Sequence, residues 1–182
     1  MLENWVVTPT CLPLVVRRCH TCAAERFRAS GKFRVNANHK VIDAWLLVLC
    51  TGCGETAKLP ILERMNVRSV RPELLERLHD NDLGLTAELL QDPLVRHRNR
   101  IALDWDGAWR LDTGGTDHRD REVIDVLVRF AAPIPVRPVR LIAQGCGLSR
   151  AEVERLIADG KLVSAVRLNG KLSGDFTFTL KR

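Results

Sequence analysis

Cys19-His20-Thr21-Cys22 and Cys50-Thr51-Gly52-Cys53 are two Cys-x-x-Cys turns separated by the 27 residues 23–49, and their reading decides the fold. Two residues between cysteines let one tight turn present both sulfurs. Two such turns complete a tetrahedral shell of thiolates, the sequence form of a zinc site. Zinc takes thiolates at about 2.3 Å without a ligand-field demand, and a complete four-sulfur shell keeps no open position for catalysis. Such a site is scaffolding, and in small zinc modules the metal contributes an apparent folding free energy of about 10–16 kcal/mol. Iron in the same shell and a redox-active thiol pair are the alternatives. Neither turn opens a helix after a strand, where a thiolate would be activated. The expected cofactor is therefore Zn, held by Cys19, Cys22, Cys50 and Cys53.

Working outward, Arg26-Phe27-Arg28 and Lys32-Phe33-Arg34-Val35 alternate basic and apolar side chains, the period of half-buried strands. Ser30-Gly31 and Asn36-Ala37-Asn38-His39 supply turn chemistry around them. Val41 to Leu49, with Trp45, is apolar on both faces and reads as a central buried strand running into the second cysteine turn. Gly52 and Gly54 there permit the positive φ that such turns need. Extended chain over residues 5–18 leads into the first turn, so residues 1–64 are expected to form a three-stranded zinc ribbon. Arg17, Arg18 and Lys58 would offset the net charge of about −2 on zinc with four thiolates. The alternation of Arg26, Arg28, Lys32 and Arg34 with Phe27 and Phe33 is that of an ordinary half-buried strand; a phosphate-tracking face is the alternative.

Residues 65–135 read as a mixed helical and hairpin region. Helical periodicity is expected from Ile61 to Gln91, with Pro72 at a first helical position, a stripe of Leu74, Leu75 and Leu78, and a second helix over Leu85 to Leu90. Ile101 to Leu111 reads as a hairpin turning at Asp106-Gly107. A polar loop from Asp112 to Asp120 precedes an expected helix with Val123, Ile124, Leu127, Val128 and Ala131 on one side, and Pro133, Pro135 and Pro138 make a stiff connection after it. Residues 136–182 then form a basic module: a helix from Val139 to Gln144, the separator Gly145-Cys146-Gly147, and a second helix. The second helix opens with the capping box Ser149-Arg150-Ala151-Glu152 and stops at Gly160. A final hairpin is expected from Val166-Arg167-Leu168 through Asn169-Gly170 to Phe176-Thr177-Phe178. The fold class is α+β: zinc ribbon, mixed middle region with helices and a hairpin, and a C-terminal two-helix plus hairpin module.

Charge is spread unevenly over these parts. Residues 1–64 carry +4, 65–135 carry −3 and 136–182 carry +5, within a net charge of +6. Two basic ends around an acidic middle favour polyanionic partners, and a solvated, soluble surface is the alternative. The N-terminus lacks the pattern of a secretory leader, and the longest apolar run, Ala44 to Leu49, is far short of a membrane span. Four of six cysteines in paired turns suit metal in a reducing cytoplasm better than a disulfide framework, which leaves Cys11 and Cys146 as thiols.

Two resemblances add to this. Arg17-Arg18-Cys19-x-x-Cys22, Ser30-Gly31-Lys32-Phe33-Arg34-Val35-Asn36-Ala37-Asn38, Lys40, Asp43-x-Trp45-Leu46, Cys50-x-x-Cys53 and Glu63-Arg64 resemble the bacterial family of uncharacterised proteins catalogued as domain of unknown function 1062. That resemblance implies a small bacterial protein and brings no activity. Arg140-Leu141-Ile142-Ala143, Leu148 to Glu152, Arg155-Leu156-Ile157, Gly160-Lys161 and Asn169-Gly170-Lys171 are similar to the small RNA-binding domain of ribosomal small-subunit protein four. The similarity implies phosphate contacts from Arg140, Arg150, Arg155, Lys161 and Lys171, although this chain carries a few more residues between Gly160 and Asn169.

Enzyme signals are thin. Asp104-x-Asp106-Gly107 lacks the downstream ligands of a calcium loop, Gly114-Gly115 lacks the Lys-Ser/Thr of a phosphate loop, and His39, His79, His97 and His118 show no metal or triad spacing. The expected function is non-catalytic and zinc-dependent, with structured RNA bound through the C-terminal module. The rivals are an adaptor whose basic surface is only solvated, a DNA-binding winged helix–turn–helix, and an enzyme with a cleft between the ribbon and the middle region. Base stacking in the C-terminal module would fall to Phe176 or Phe178, which serve equally well as core.

Overall fold

The computed structural model describes residues 2–115 and 122–181, an α+β chain with two five-stranded sheets and five helices among the described residues. It divides into two compact units, Leu12–Asp104 and Met1–Cys11 with Trp105–Arg182. These units cut the chain differently from the three charge segments.

In the unit Leu12–Asp104, strand β4 (Val41–Cys50) lies at the centre, as its apolar run predicts. Ile42, Ala44, Leu46, Val48 and Cys50 are buried, and the residues between them are half-buried. It is flanked antiparallel by β3 (Arg26–Asn38) and β5 (Thr56–Asn66), and β2 (Leu14–Val16) and β6 (Ala102–Asp104) continue the sheet beyond β3. Arg26–Arg28 and Lys32–Val35, expected as separate strands about a Ser30-Gly31 turn, are one strand interrupted by a bulge. Gly31 takes φ +72° there, and the Ser30 hydroxyl donates to Leu47 O at 2.8 Å.

Helices α1 (Pro72–His79), α2 (Leu83–Gln91) and α3 (Pro93–Asn99) cover one face of this sheet. Leu78 and Leu85 pack with Ala44, while Leu90 and Val95 join Leu46, Val48, Leu59 and Ile61. Pro72 begins α1 as expected, since its missing N–H is no loss in a first turn. Asp82 and Asp92 cap the next two helices by accepting from Leu85 N (2.6 Å) and Leu94 N (2.7 Å). Residues 61–66, expected to be helical, are the end of β5: pairing with β4 overrides a local period that six residues cannot define. Arg98 and Asn99 of α3 donate to Ile61 O and Pro60 O, which occupies carbonyls of this edge strand.

In the other unit, β8 (Val123–Phe130) runs parallel to β1 (Leu2–Pro9) and antiparallel to β10 (Phe176–Lys181). β7 (Trp109–Asp112) borders β1, and β9 (Leu162–Ser164) borders β10. The helix expected over 123–131 is thus a strand. Ile124, Val126 and Val128 alternate into the core, and β-branched side chains suit a pleated surface better than a helix. The hairpin expected over 101–111 is also corrected. The Asp106-Gly107 turn forms, with Gly107 at φ +78°, but β6 and β7 on either side enter different sheets. The final hairpin pairs β10 with Leu162–Ser164 rather than with Val166–Leu168.

Helix α4 (Pro138–Cys146) absorbs Gly145 and Cys146, and Gly147 ends it at φ +66°. Helix α5 (Arg150–Ala158) keeps its capping box: Ser149 Oγ accepts from Glu152 N, and Glu152 accepts from Ser149 N at 2.7 Å. Hydrogen bonding to Ser149, its side chain first and its N–H second, holds the Glu152 carboxyl below the usual carboxylate range. Of the polar loop, residues 116–121, including His118, lie outside the described residues. No helix among the described residues is long and apolar enough to cross a membrane.

Candidate metal centre

The first cysteine turn joins β2 to β3 and the second joins β4 to β5. The register that sets Phe27 opposite Cys50 brings the two together at one end of the sheet. Each turn closes in the same way. Cys19 N donates to Ala24 O (2.7 Å) and Cys50 N to Glu55 O (2.8 Å), five residues on in both cases. The residue after each second cysteine has positive φ: Ala23 at 59° and Gly54 at 75°. Thr51 ties the second turn to β3 by donating both N–H and hydroxyl to Arg26 O.

All four sulfurs lie within 4.8 Å of one another. Cys19 Sγ is 3.8 Å from Cys53 Sγ, and Cys22 Sγ is 3.5 Å from Cys50 Sγ. A tetrahedron with metal–sulfur bonds of about 2.3 Å has edges of about 3.8 Å, so the four residues fit one ion. Gly52 allows the approach, because a Cβ there would stand 3.0 Å from Ala24 Cβ and 3.1 Å from Cys22 Sγ. Cys19 and Cys50 are buried, Cys22 and Cys53 exposed.

The two thiols of the second turn are shifted in opposite directions. The Cys53 N–H bond is the largest cause that draws the Cys50 thiol down to about 6, with further help from Gly52 N–H and the neighbouring thiols. At Cys53 the Glu55 N–H favours the thiolate. Its effect is outweighed by Cys22, desolvation and the other two thiols, which push it up to about 12. A divalent cation bound there would favour the Cys53 thiolate. Among the described residues the metal-competent group contains these four cysteines and no histidine, and His20 is exposed. Lys58 places its ammonium 5.3 Å from the Trp45 ring centroid.

The C-terminal basic residues are brought together only in part. Arg155 and Lys161 border one open groove of about 340 Å³ with Leu148 and Leu156, but Glu152 and Asp159 share it. Arg150 and Lys171 are exposed, and Arg140 is ion-paired to Asp106 at 2.8 Å. Phe176 and Phe178 are buried core, so base stacking on them is excluded. Asp104 pairs with Arg26 at 2.9 Å. Gly114 N caps back to Asp112 Oδ1, and His39, His79 and His97 are exposed. A second open cavity, about 580 Å³, sets Arg137 and Arg167 beside Val139, Ile157 and Leu168. It has no local sequence signal because the loop after β9 forms one wall.

Fold and site together define an α+β protein with a four-cysteine cluster able to hold a metal ion. Residues 35–168 match the family described as protein of unknown function (DUF1062), and the chain belongs to it. The matched span includes Cys50 and Cys53 and starts beyond Cys19 and Cys22. No curated protein and no solved structure matches.

Proposed function

We propose that this is a non-catalytic, zinc-containing binding protein of a reducing cytoplasm, in which zinc clamps a ribbon formed by β3, β4 and β5. The opposed sulfur pairs at 3.8 and 3.5 Å carry this reading. Thiolates are soft ligands that favour zinc over hard cations, and a complete four-sulfur shell suits a structural site. The zinc would be held by Cys19, Cys22, Cys50 and Cys53, and would fix the loops before β3 and after β4. Replacing bound zinc by cobalt tests it: tetrahedral tetrathiolate coordination gives intense visible bands, and their absence overturns it.

The polyanion partner is structured RNA, reached through the C-terminal unit. The exposure of Arg150, Arg155, Lys161 and Lys171 supports this, while Arg140 contributes less because Asp106 already engages it. Phosphate contacts give affinity that falls steeply with salt. Filter retention of a folded RNA should fall with salt and be lost in Arg150→Glu/Arg155→Glu. No retention at low salt removes RNA and leaves the adaptor reading, in which these side chains are only solvated.

A further inference from the structure

We propose that the face of the β3–β4–β5 sheet opposite helices α1–α3 binds single-stranded nucleic acid, with Trp45 as the base-stacking platform and Arg28, Arg34 and Lys58 as phosphate contacts.

The two faces of this sheet are chemically unlike. The helices cover the side that buries Ala44, Leu46, Val48 and Leu59. The other side carries the alternate residues of β4, and Trp45, Leu47 and Leu49 stand half-buried there. Cations flank them by register. Arg34 lies opposite Trp45 and Arg28 opposite Leu49 on β3, while Lys58 lies opposite Leu47 on β5. All three are exposed.

The bulge in β3 makes this alignment possible. From Ala29 to Phe33 the strand advances four residues while β4 advances two, Val48 to Leu46. Two extra residues preserve the alternation, whereas one would turn every later side chain to the opposite face. Phe27 and Phe33 therefore both face the helices, and Arg28 and Arg34 both face away.

Charge and shape together select the occupant. The acid on this stretch of β4, Asp43, accepts the Arg64 N–H at 2.8 Å. Arg26 is set aside, since Asp104 neutralises it. Neighbouring strands are about 4.8 Å apart, so Arg34 and Lys58 bracket β4 across about 10 Å, wide enough for a single backbone to lie between them. An aromatic ring among cations is the device that holds unpaired bases, because every base has a π-face and every linkage a phosphate. A base on the indole takes the place of the Lys58 ammonium, which is then free to reach phosphate. Double-stranded nucleic acid presents no such face to a flat sheet.

The site shares no residue with the C-terminal RNA reading, and the test separates them. Fluorescence anisotropy of a labelled oligo(dT) or oligo(U) is measured with the full zinc-loaded chain at low salt and then across salt. Trp45→Leu should weaken binding about fivefold or more, Trp45→Phe should retain most of it, and Arg34→Glu/Lys58→Glu should weaken it and flatten the salt dependence. Arg150→Glu/Arg155→Glu should leave it unchanged. The surface charge variants preserve the folded core, so they carry the test if Trp45→Leu fails to fold. Wild-type affinity in Arg34→Glu/Lys58→Glu, no binding at low salt, or equal displacement by polyglutamate would each overturn the proposal.

Discussion

Ala23 and Gly54 occupy equivalent places in the two cysteine turns: each comes directly after the second cysteine of its pair and each has positive φ, 59° and 75°. One turn uses glycine there and the other carries a Cβ in a conformation that disfavours it. An L-residue in this region costs about 1–2 kcal/mol, and glycine gives back about 0.5–1 kcal/mol through its freer unfolded chain. Ala23→Gly should therefore raise stability by about 0.5–1 kcal/mol, read as a shift in urea midpoint at constant slope. Gly54→Ala should lower it by a similar amount from backbone strain alone, since nothing lies within 4 Å of its would-be Cβ. Equal stability of both variants and wild type would contradict the equivalence.

Local chemistry was legible and long-range pairing was not. The cysteine pairs, the central run Val41 to Leu49, Pro72, and the Ser149–Glu152 box each announce themselves within a few residues. The stretch Val123-Ile124-Asp125-Val126-Leu127-Val128 satisfies a helical stripe and a strand alternation at once. Parallel pairing with β1, more than a hundred residues earlier, resolves it, and no local window shows that pairing. The turn Asp106-Gly107 reads as a hairpin because sequence cannot show that the strands beside it belong to separate sheets. Arg28, Arg34 and Lys58 were visible in the sequence, but their sharing of one face with Trp45 was not, because it depends on a two-residue bulge and on strand register.

Gly145 is held against Trp5. A Cβ on this helical residue would stand 2.2 Å from Trp5 Cζ3 and 2.3 Å from Cη2, far inside contact distance. Trp5 is fully buried and meets Phe178 edge-on at 5.4 Å, so it has little room to retreat. Gly145→Ala gains about 1 kcal/mol of helix propensity but overpacks the core, and should lose about 1–3 kcal/mol net. Adding Trp5→Leu should recover part of that loss, a coupling measurable in a double-mutant cycle. Additive losses would show that the two do not press on each other.

Arg77 joins Asp82 (3.2 Å) and Glu88 (2.9 Å) between α1 and α2. Its hydrogen bonds are the first cause holding both carboxyls below their ordinary range, and the Leu85 N–H adds to this at Asp82. A carboxyl lowered in the folded state stabilises the protein above its unfolded pKa and stops doing so as pH falls through the folded value. Arg77→Met should thus lower the melting temperature near neutral pH, modestly because the pair is solvent-exposed. The difference from wild type should shrink below about pH 4. A difference independent of pH would contradict the linkage.

In the proposed function two distant thiol pairs share one zinc ion. X-ray absorption at the zinc edge, on protein purified without added metal, measures both content and shell. The expected result is one zinc per chain with four sulfurs at about 2.3 Å, and loss of that zinc in Cys50→Ser. Substoichiometric metal, or a shell containing nitrogen or oxygen, would contradict it.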